Sequence, residues 1–513
     1  MVGLRSAIFV SGISRYAVLL AGLIVTMALS RLMTPAEIGT VLIGTTIAML
    51  ATAARDFVSP LYLIQKTCVE QQDVSAVAYV QLSLAVVLSI GLASFADEIA
   101  SFFHNPVLAD FLVVVAIALV IEAMTVTGQA VLQREMRFSA IAVLLLVQAA
   151  VSGASSVAFA FAGFGVMAMA HGWLCGALAA MIACFVFIPP RWYARPTLSG
   201  VSDIFAFGRY QGASSALHRA HMALTAGVVG RSLSLTDAGY FGRASNLSQL
   251  SERLFVDVIV SVAIPSFSEH TRSKSTTLAR PYLDWLEVLA AVHWPGLVLV
   301  ILLADPIVAI LYGSQWQSVV PLIQILSVAA LFSTPTLLVW PALIAAGGIR
   351  DRFIANLIAL PMSTAIFLIA AQFGLYPAAL SFLIFVPLSA LVDLYYLRRR
   401  VPIASGDLLH ALRKPLFVTL ATAIGPLLFV ISNGLQLSVE KGLAAGLAAA
   451  VGWICGLFLT RHPLAEEITR ATSAVKRLMT AKRRRMSMGA MQTTTPSQAR
   501  DTERLSTAQG HGS

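Results

Sequence analysis

The stretch FAFGRYQGASSALHRAHMALTAGVVGRSLSLTDAGYFGRASNLSQLSERLFVDVIVSVAIPSF, from Phe205 to Phe267, holds two consecutive apolar segments, each long enough to cross a bilayer. Within them sit Arg209, His218, Arg219, His221, Arg243, Glu252, Arg253 and Asp257. A charge at mid-bilayer costs about 2.5–3.5 kcal/mol on insertion scales, so such residues normally face a bundle interior or a wet cavity. These two helices are therefore expected to line a polar, net cationic cavity inside an otherwise lipid-soluble bundle.

The rest of the chain is consistent with that setting. It is 58% hydrophobic and only 12% charged, with a mean hydropathy of +0.81. Soluble domains run near 45–50% apolar and about 25% charged, so these 513 residues describe an all-α polytopic membrane protein. The net charge of +10 raises nucleic acid as a partner. The basic residues lie between apolar spans and in the tail, however, and no nucleic-acid partner is expected. Cys68, Cys175, Cys184 and Cys455 show no paired spacing, and three of them fall in apolar runs, so they read as small hydrophobes rather than disulfides or metal ligands. Arg5 precedes a long apolar run with no small-residue cleavage site, which reads as an uncleaved first span.

At roughly 20 apolar residues per span, helices fall near 7–29, 38–54, 76–95, 107–127, 139–161, 164–188, 206–230, 239–264, 282–303, 318–346, 354–371, 375–397, 415–432 and 439–460. The segment 318–346 is long enough to tilt or to kink at Pro335 or Pro341. Counting Lys and Arg loop by loop, with the N-terminus inside, gives inner segments carrying Arg5; Arg55 and Lys66; Arg134 and Arg137; Arg191 and Arg195. They continue with Arg272, Lys274 and Arg280; Arg350 and Arg352; and Arg398, Arg399, Arg400, Arg413 and Lys414. The outer loops hold only Arg31, Arg231 and Lys441. That alternation satisfies the positive-inside rule and puts both termini in the cytoplasm.

An internal repeat organises the spans. Arg31-Leu-Met-Thr-Pro-Ala-Glu37-Ile-Gly39 returns as Arg231-Ser-Leu-Ser-Leu-Thr-Asp237-Ala-Gly239, offset by 200 residues. Arg134-Glu-Met-Arg137-Phe138 is echoed by Arg350-Asp-Arg352-Phe353. Two six-helix halves in the same orientation follow, over 1–200 and 201–400, with a substrate route between them. Residues 401–462 add two further helices, and 463–513 form a basic tail whose last part, 488–513, reads as a solvated end. The piece 463–485 is either solvated too or a helix on anionic lipid.

Several motifs together resemble a known family: LMTPAEIG at 32–39, LQREMRF at 132–138, GYFGRASNLSQL at 239–250, IPSFSEHTRSKSTTLARPYLDWLE at 264–287 and LYGSQWQSVVPLIQIL at 311–326. They are similar to the polysaccharide transporter branch of the multidrug/oligosaccharidyl-lipid/polysaccharide exporters, the Wzx-type flippases, over about residues 1–460. The resemblance implies two six-helix lobes around a central cavity, plus two helices. It also implies translocation of an undecaprenyl-diphosphate-linked oligosaccharide across the bacterial inner membrane, for exopolysaccharide or lipopolysaccharide synthesis. Its partners would be the lipid-linked oligosaccharide, membrane lipids and a periplasmic-side polysaccharide polymerase.

A diphosphate ligand calls for arginine, whose planar fork donates two parallel hydrogen bonds and stays charged. The candidates are Arg15, Arg55, Arg219, Arg243 and Arg253, with His218 and His221 as cavity residues. Arg209 and Arg55 lie near predicted inner ends, where they either bind or snorkel to water. Arg253 and Asp257 are four apart and either neutralise each other or act separately. Arg15 and Arg219 have no carboxylate nearby in sequence and lead the set. The two histidines either line the cavity as polar groups or carry a proton; no metal site is expected from them. Glu122, Glu252 and Asp257 are candidates for a coupling proton or sodium, Glu122 alternatively for helix packing near Gln129. The first helix has no acid and contains Arg15, which disfavours export of organic cations. No glycine-rich ATP loop is present, so no cofactor is expected, and energy would come from ion gradients or substrate removal. The competing readings are a lipid II flippase, a multidrug antiporter and, from another class, a membrane polysaccharide polymerase; the outer loops look short for an enzyme of that kind.

Overall fold

The computed structural model describes residues 2–58, 60, 62, 63, 66, 69–188, 201–272, 278–434, 437–470 and 473. Within them the chain is helical, with no strand. Fourteen long helices follow in order: α1 (Val2–Leu32), α2 (Pro35–Thr52), α3 (Gln71–Ser94), α4 (Val107–Arg134), α5 (Phe138–Phe161), α6 (Met167–Phe187) and α7 (Val201–Val228). Then come α8 (Leu235–Ser248, continued by Asp257–Arg272), α9 (Ala279–Leu302), α10 (Val320–Ser333, continued by Val339–Ala345), α11 (Ile349–Ala371), α12 (Phe382–Arg398), α13 (Ser405–Asn433) and α14 (Val439–Leu459). Twelve of the described helices are long and apolar enough to span a membrane. The other two long ones are α7 and α8, the pair loaded with polar side chains. Together they give a multi-pass membrane protein of two repeated six-helix halves and two further helices.

The chain divides into two compact units, Met1–Trp453 and Ile454–Ser513. In the second, the end of α14 is followed by a helical run over 463–470, where the Leu464 amide donates to His462 Nδ1 at 3.2 Å. Arg470 there pairs with Glu467 at 2.8 Å. The remainder of the basic tail, like Cys68, lies outside the described residues.

Local chemistry sets the repeat. Thr34 caps α2, with Pro35 in the first turn and the Glu37 carboxylate accepting the Thr34 backbone N–H at 2.8 Å. Ser234 caps α8 in the same way, accepting the Asp237 amide at 3.0 Å. The two capped helices then cross at their matched glycines. A Cβ on Gly39 would lie 1.8 Å from the Leu235 carbonyl oxygen, and one on Gly239 would lie 2.0 Å from the Pro35 carbonyl oxygen. The contact is reciprocal, as a two-fold relation between the halves requires. Lipid supplies no hydrophobic drive between helices, so close backbone approach at small residues takes its place.

The buried clusters divide by depth. We call the end where α1 meets α2 distal and the opposite end proximal. Distally one apolar core runs through both halves, joining Leu29, Ile43 and Phe111 to Trp316, Phe367 and Phe385. Proximally the core divides in two, one around Leu132 and Leu144, which Ile204 of α7 joins, and another around Phe267, Tyr282 and Leu397. One core is shared at the distal end, and two distinct cores stand at the proximal end.

Distal fastening is again crossed. Arg31 donates to the Ile310 carbonyl at 2.7 Å, in a short helix between α9 and α10. Arg231 stacks 5.3 Å from the Phe102 ring, in the corresponding short helix between α3 and α4. The Trp316 indole donates to the Ser30 carbonyl at 2.8 Å. These short helices occupy the segments 96–106 and 304–317 expected as plain loops. The long tenth span is interrupted where proline stands: a tight turn over Thr334–Thr336 separates its two pieces, the Leu331 carbonyl that Pro335 cannot bond accepts the Trp294 indole N–H at 3.1 Å, and Tyr282 donates to the Pro335 carbonyl. The eighth span, expected as one helix over 239–264, is interrupted too. A wide π-turn over Glu252–Val256 follows Ser248, held by Ser251 donating to the His293 carbonyl at 3.2 Å.

Candidate substrate cavity

Repeat symmetry creates two seams between the halves, α2 against α7 and α1 against α8. Along the first, Gly208 and Gly212 let α7 close on the turn Ala53–Phe57 that ends α2; a Cβ on either would come within 2.5 Å of Phe57. Arg219 then bonds Asp56 at 2.9 Å, Thr52 Oγ1 at 2.9 Å and the Met49 carbonyl at 3.2 Å. Arg219 has no carboxylate nearby in sequence, yet it does not stand alone. Its partner lies 163 residues upstream and reaches it only through the seam.

Along the second seam a hollow of about 350 Å³ remains, lined by Arg15, Thr26, Asn246, Arg253 and Tyr312 among others. Its proximal tether is the Tyr16 hydroxyl, which donates to the Leu254 carbonyl at 3.0 Å. The π-turn that follows Ser251 carries Arg253. Its guanidinium donates to Asn246 Oδ1 at 3.0 Å and Gln249 Oε1 at 3.5 Å, both neutral amides. The side chain of Asp257, expected four residues on as a neutraliser, lies outside the described residues. Burial raises the Tyr312 phenol above its ordinary value, against the pull of Arg243 and Arg253, so it stays a neutral donor.

The other expected site residues lie elsewhere. Arg243 is 7% exposed and does not line the hollow. Its guanidinium sits 5.3 Å from the Tyr312 ring and 5.5 Å from the Trp316 ring, with Nε unpartnered. Cation–π contact inside the distal core accounts for its charge. Arg55, half-buried, donates to the Leu119 carbonyl at 3.2 Å rather than reaching for water. His221 shares a 2.7 Å hydrogen bond with Thr364 on α11, and His218 is exposed nearby. Glu122 accepts the Trp173 indole N–H at 2.6 Å, so its packing partner is on α6 and not Gln129. Glu252 is half-buried in the π-turn, and Arg209 is exposed near the proximal start of α7. Of the sequence candidates, Arg15 and Arg253 meet in this hollow.

The residues that complete that hollow were not singled out. Tyr312 stands in the quoted LYGSQWQ run and Asn246 in GRASNLSQL, yet nothing in their spacing announces that they face α1. Asp56 follows Arg55 directly, and adjacency along the chain hid its role in the seam.

Two capped six-helix halves crossing at paired glycines, with a cationic hollow in one seam, define a transporter-like membrane bundle. A family model described as "Polysaccharide biosynthesis protein" matches residues 28–321, more than half of the chain. The chain belongs to that polysaccharide biosynthesis protein family. It is 22% identical over 469 residues to the "Lipopolysaccharide biosynthesis protein WzxC" of Escherichia coli (strain K12), covering 90% of this chain and 94% of the relative. It is 23% identical over 316 residues to the "Succinoglycan biosynthesis transport protein ExoT" of Rhizobium meliloti (strain 1021), covering 60% and 62%. The solved structure "Lipid II flippase MurJ, inward closed conformation" superposes with a TM-score of 0.72 at 14% identity, covering 88% of this chain and 99% of that one. At that identity the likeness speaks for the fold.

Proposed function

We propose that this protein carries a polyprenyl-diphosphate-linked oligosaccharide repeat unit across the bacterial inner membrane, for exopolysaccharide or lipopolysaccharide assembly. It is read as a carrier and not an enzyme. The observation that carries this is the hollow between α1 and α8, where Arg15 and Arg253 face a space bounded by the membrane-spanning helices. A diphosphate is the ligand that two planar guanidinium forks suit, and desolvation within a bilayer strengthens the pairing. The family and the names of the relatives support a sugar cargo.

In this reading the termini are cytoplasmic, as the loop charges favour. The distal end, with its shared core, then faces the periplasm, and the proximal end, with its two cores, faces the cytoplasm. Transport proceeds by rocking of the halves, loading from one leaflet and releasing to the other, where a polymerase would take up the unit. Glu122, Glu252 and Asp257 are the carboxylates proposed to couple a cation to that movement.

The test is deletion of the gene followed by complementation. Lipid-linked oligosaccharide is expected to accumulate on the cytoplasmic leaflet of the deletion strain and to clear with the wild-type protein. Arg15→Ala combined with Arg253→Ala should restore transport about 100-fold less well, two charge-assisted contacts being lost. Normal surface polysaccharide in the deletion strain would end the proposal.

A further inference from the structure

A second and larger hollow, of about 710 Å³, lies within the N-terminal half between α1, α2, α4, α5 and α6. That volume falls in the range of pockets that enclose small ligands. One stripe of α5 lines it over about 27 Å, at 1.5 Å per residue from Phe138 to Ser156. The stripe changes character midway. Phe138, Ile141 and Leu145 make the proximal part apolar, whereas Gln148, Ser152 and Ser156 make the distal part polar.

Trp173 of α6 lines the same hollow. Its indole N–H is committed to Glu122, which fixes the ring's orientation. Its helix is brought close by Gly172 and Gly176, where a Cβ would meet Ser156 Oγ at 1.9 Å and Ser152 Cβ at 2.6 Å. Among the described residues the Gln148 amide and the Ser152 hydroxyl hold no protein partner. A held aromatic ring in a hollow with open amide and hydroxyl groups suits a sugar ring, whose C–H face packs on an aromatic surface while its hydroxyls hydrogen-bond around the edge.

We propose that the polar part of this hollow is a glycosyl subsite, in which a sugar of the cargo packs on Trp173 and bonds Gln148 and Ser152. The proposal rests on the transport reading above and says where the glycan sits. Arg15 and Val18 line both hollows, so the subsite adjoins the guanidinium pair across α1. A diphosphate held at Arg15 and Arg253 leaves its first sugars beside the N-terminal half. That half, and not the seam alone, then selects among glycans.

Full-length purified protein is titrated by equilibrium dialysis with repeat-unit oligosaccharides made by partial hydrolysis of the host's surface polysaccharide. Transport of lipid-linked oligosaccharide is measured in proteoliposomes from the same preparation. Saturable glycan binding is expected, weakened about tenfold in Gln148→Leu and in Trp173→Leu and unchanged in Arg31→Ala. Should Trp173→Leu fail to fold, Gln148→Leu and Ser152→Ala carry the comparison, each removing one hydrogen-bonding group. Absence of saturable binding, equal binding by the variants, or displacement by sugar-free polyprenyl phosphate overturns the subsite. Transport without glycan binding sinks the subsite alone, and binding without transport sinks the carrier reading alone.

Discussion

The two seams start from one repeated sequence and end differently. At the offset of 200 residues, Gly12 of α1 matches Gly212 of α7. A Cβ on Gly212 would strike Phe57, whereas one on Gly12 meets nothing within 4 Å among the described residues. The turns that face them match as well, a tight one over Ala53–Phe57 and a wide one over Glu252–Val256. The tight turn presents Asp56 to Arg219 and closes the seam. The wide turn presents Arg253 to a hollow. Near-symmetry therefore builds the scaffold, and its local failure makes room for a ligand.

The heaviest blow to this comparison would fall where both seams originate. Gly39→Val pushes a side chain into the Leu235 backbone, which cannot swing aside as a side chain can. A loss of about 3 kcal/mol or more is expected, seen as disappearance of the monodisperse peak on size-exclusion chromatography in detergent. Full yield from Gly39→Val would contradict the crossing. Next comes the matched pair Gly212→Val and Gly12→Val. The first should cost about 1–3 kcal/mol by overpacking against Phe57, and the second should leave the melting temperature near that of the wild type. Equal melting temperatures would erase the distinction between the seams.

Two finer probes sharpen it. Trp316→Phe removes the indole donor to the Ser30 carbonyl and should cost about 0.5–1.5 kcal/mol. It should also speed thiol labelling of a Leu250→Cys variant, because the distal tie of α1 is loosened; unchanged labelling would argue that the tie does not hold the hollow shut. Arg219→Ala and Asp56→Ala, combined in a double-mutant cycle, should give a coupling of only about 0.2–1 kcal/mol. Each side chain is about a third exposed, and water screens the pair. A coupling above this range would mean that the seam is drier than its exposure indicates.

Much of the bundle could be read from the chain because its causes are local. Apolar runs of span length and the caps at Thr34 and Ser234 act within a few residues. The repeat was legible because the same cap-and-glycine motif recurs at 31–39 and 231–239, although the contact between Gly39 and Gly239 spans 200 residues. The sites were legible only in residue type. Arg243 was singled out for its charge, but the rings that hold it come from Tyr312 and Trp316, some 70 residues further on. Arg219 found Asp56 by the same long reach. Trp173 carries no charge and follows no period that distinguishes it from lipid-facing neighbours, so its bond to Glu122 was hidden. The break in α8 was missed because Glu252–Val256 contains neither Gly nor Pro; its hold comes from Ser251 reaching α9.

The crossing at Gly39 and Gly239 also has a mechanical meaning. Two backbones in contact at one point can pivot there with little sliding, so in the rocking proposed above the pair would serve as a fulcrum for rigid levers. From Gly39 to Phe57 the arm is about 27 Å at 1.5 Å per residue. A tilt of roughly 10° about that point sweeps its tip through about 5 Å, close to the spacing of one helical turn. In that movement the smallest residues in the bundle would set how far the helix tips travel.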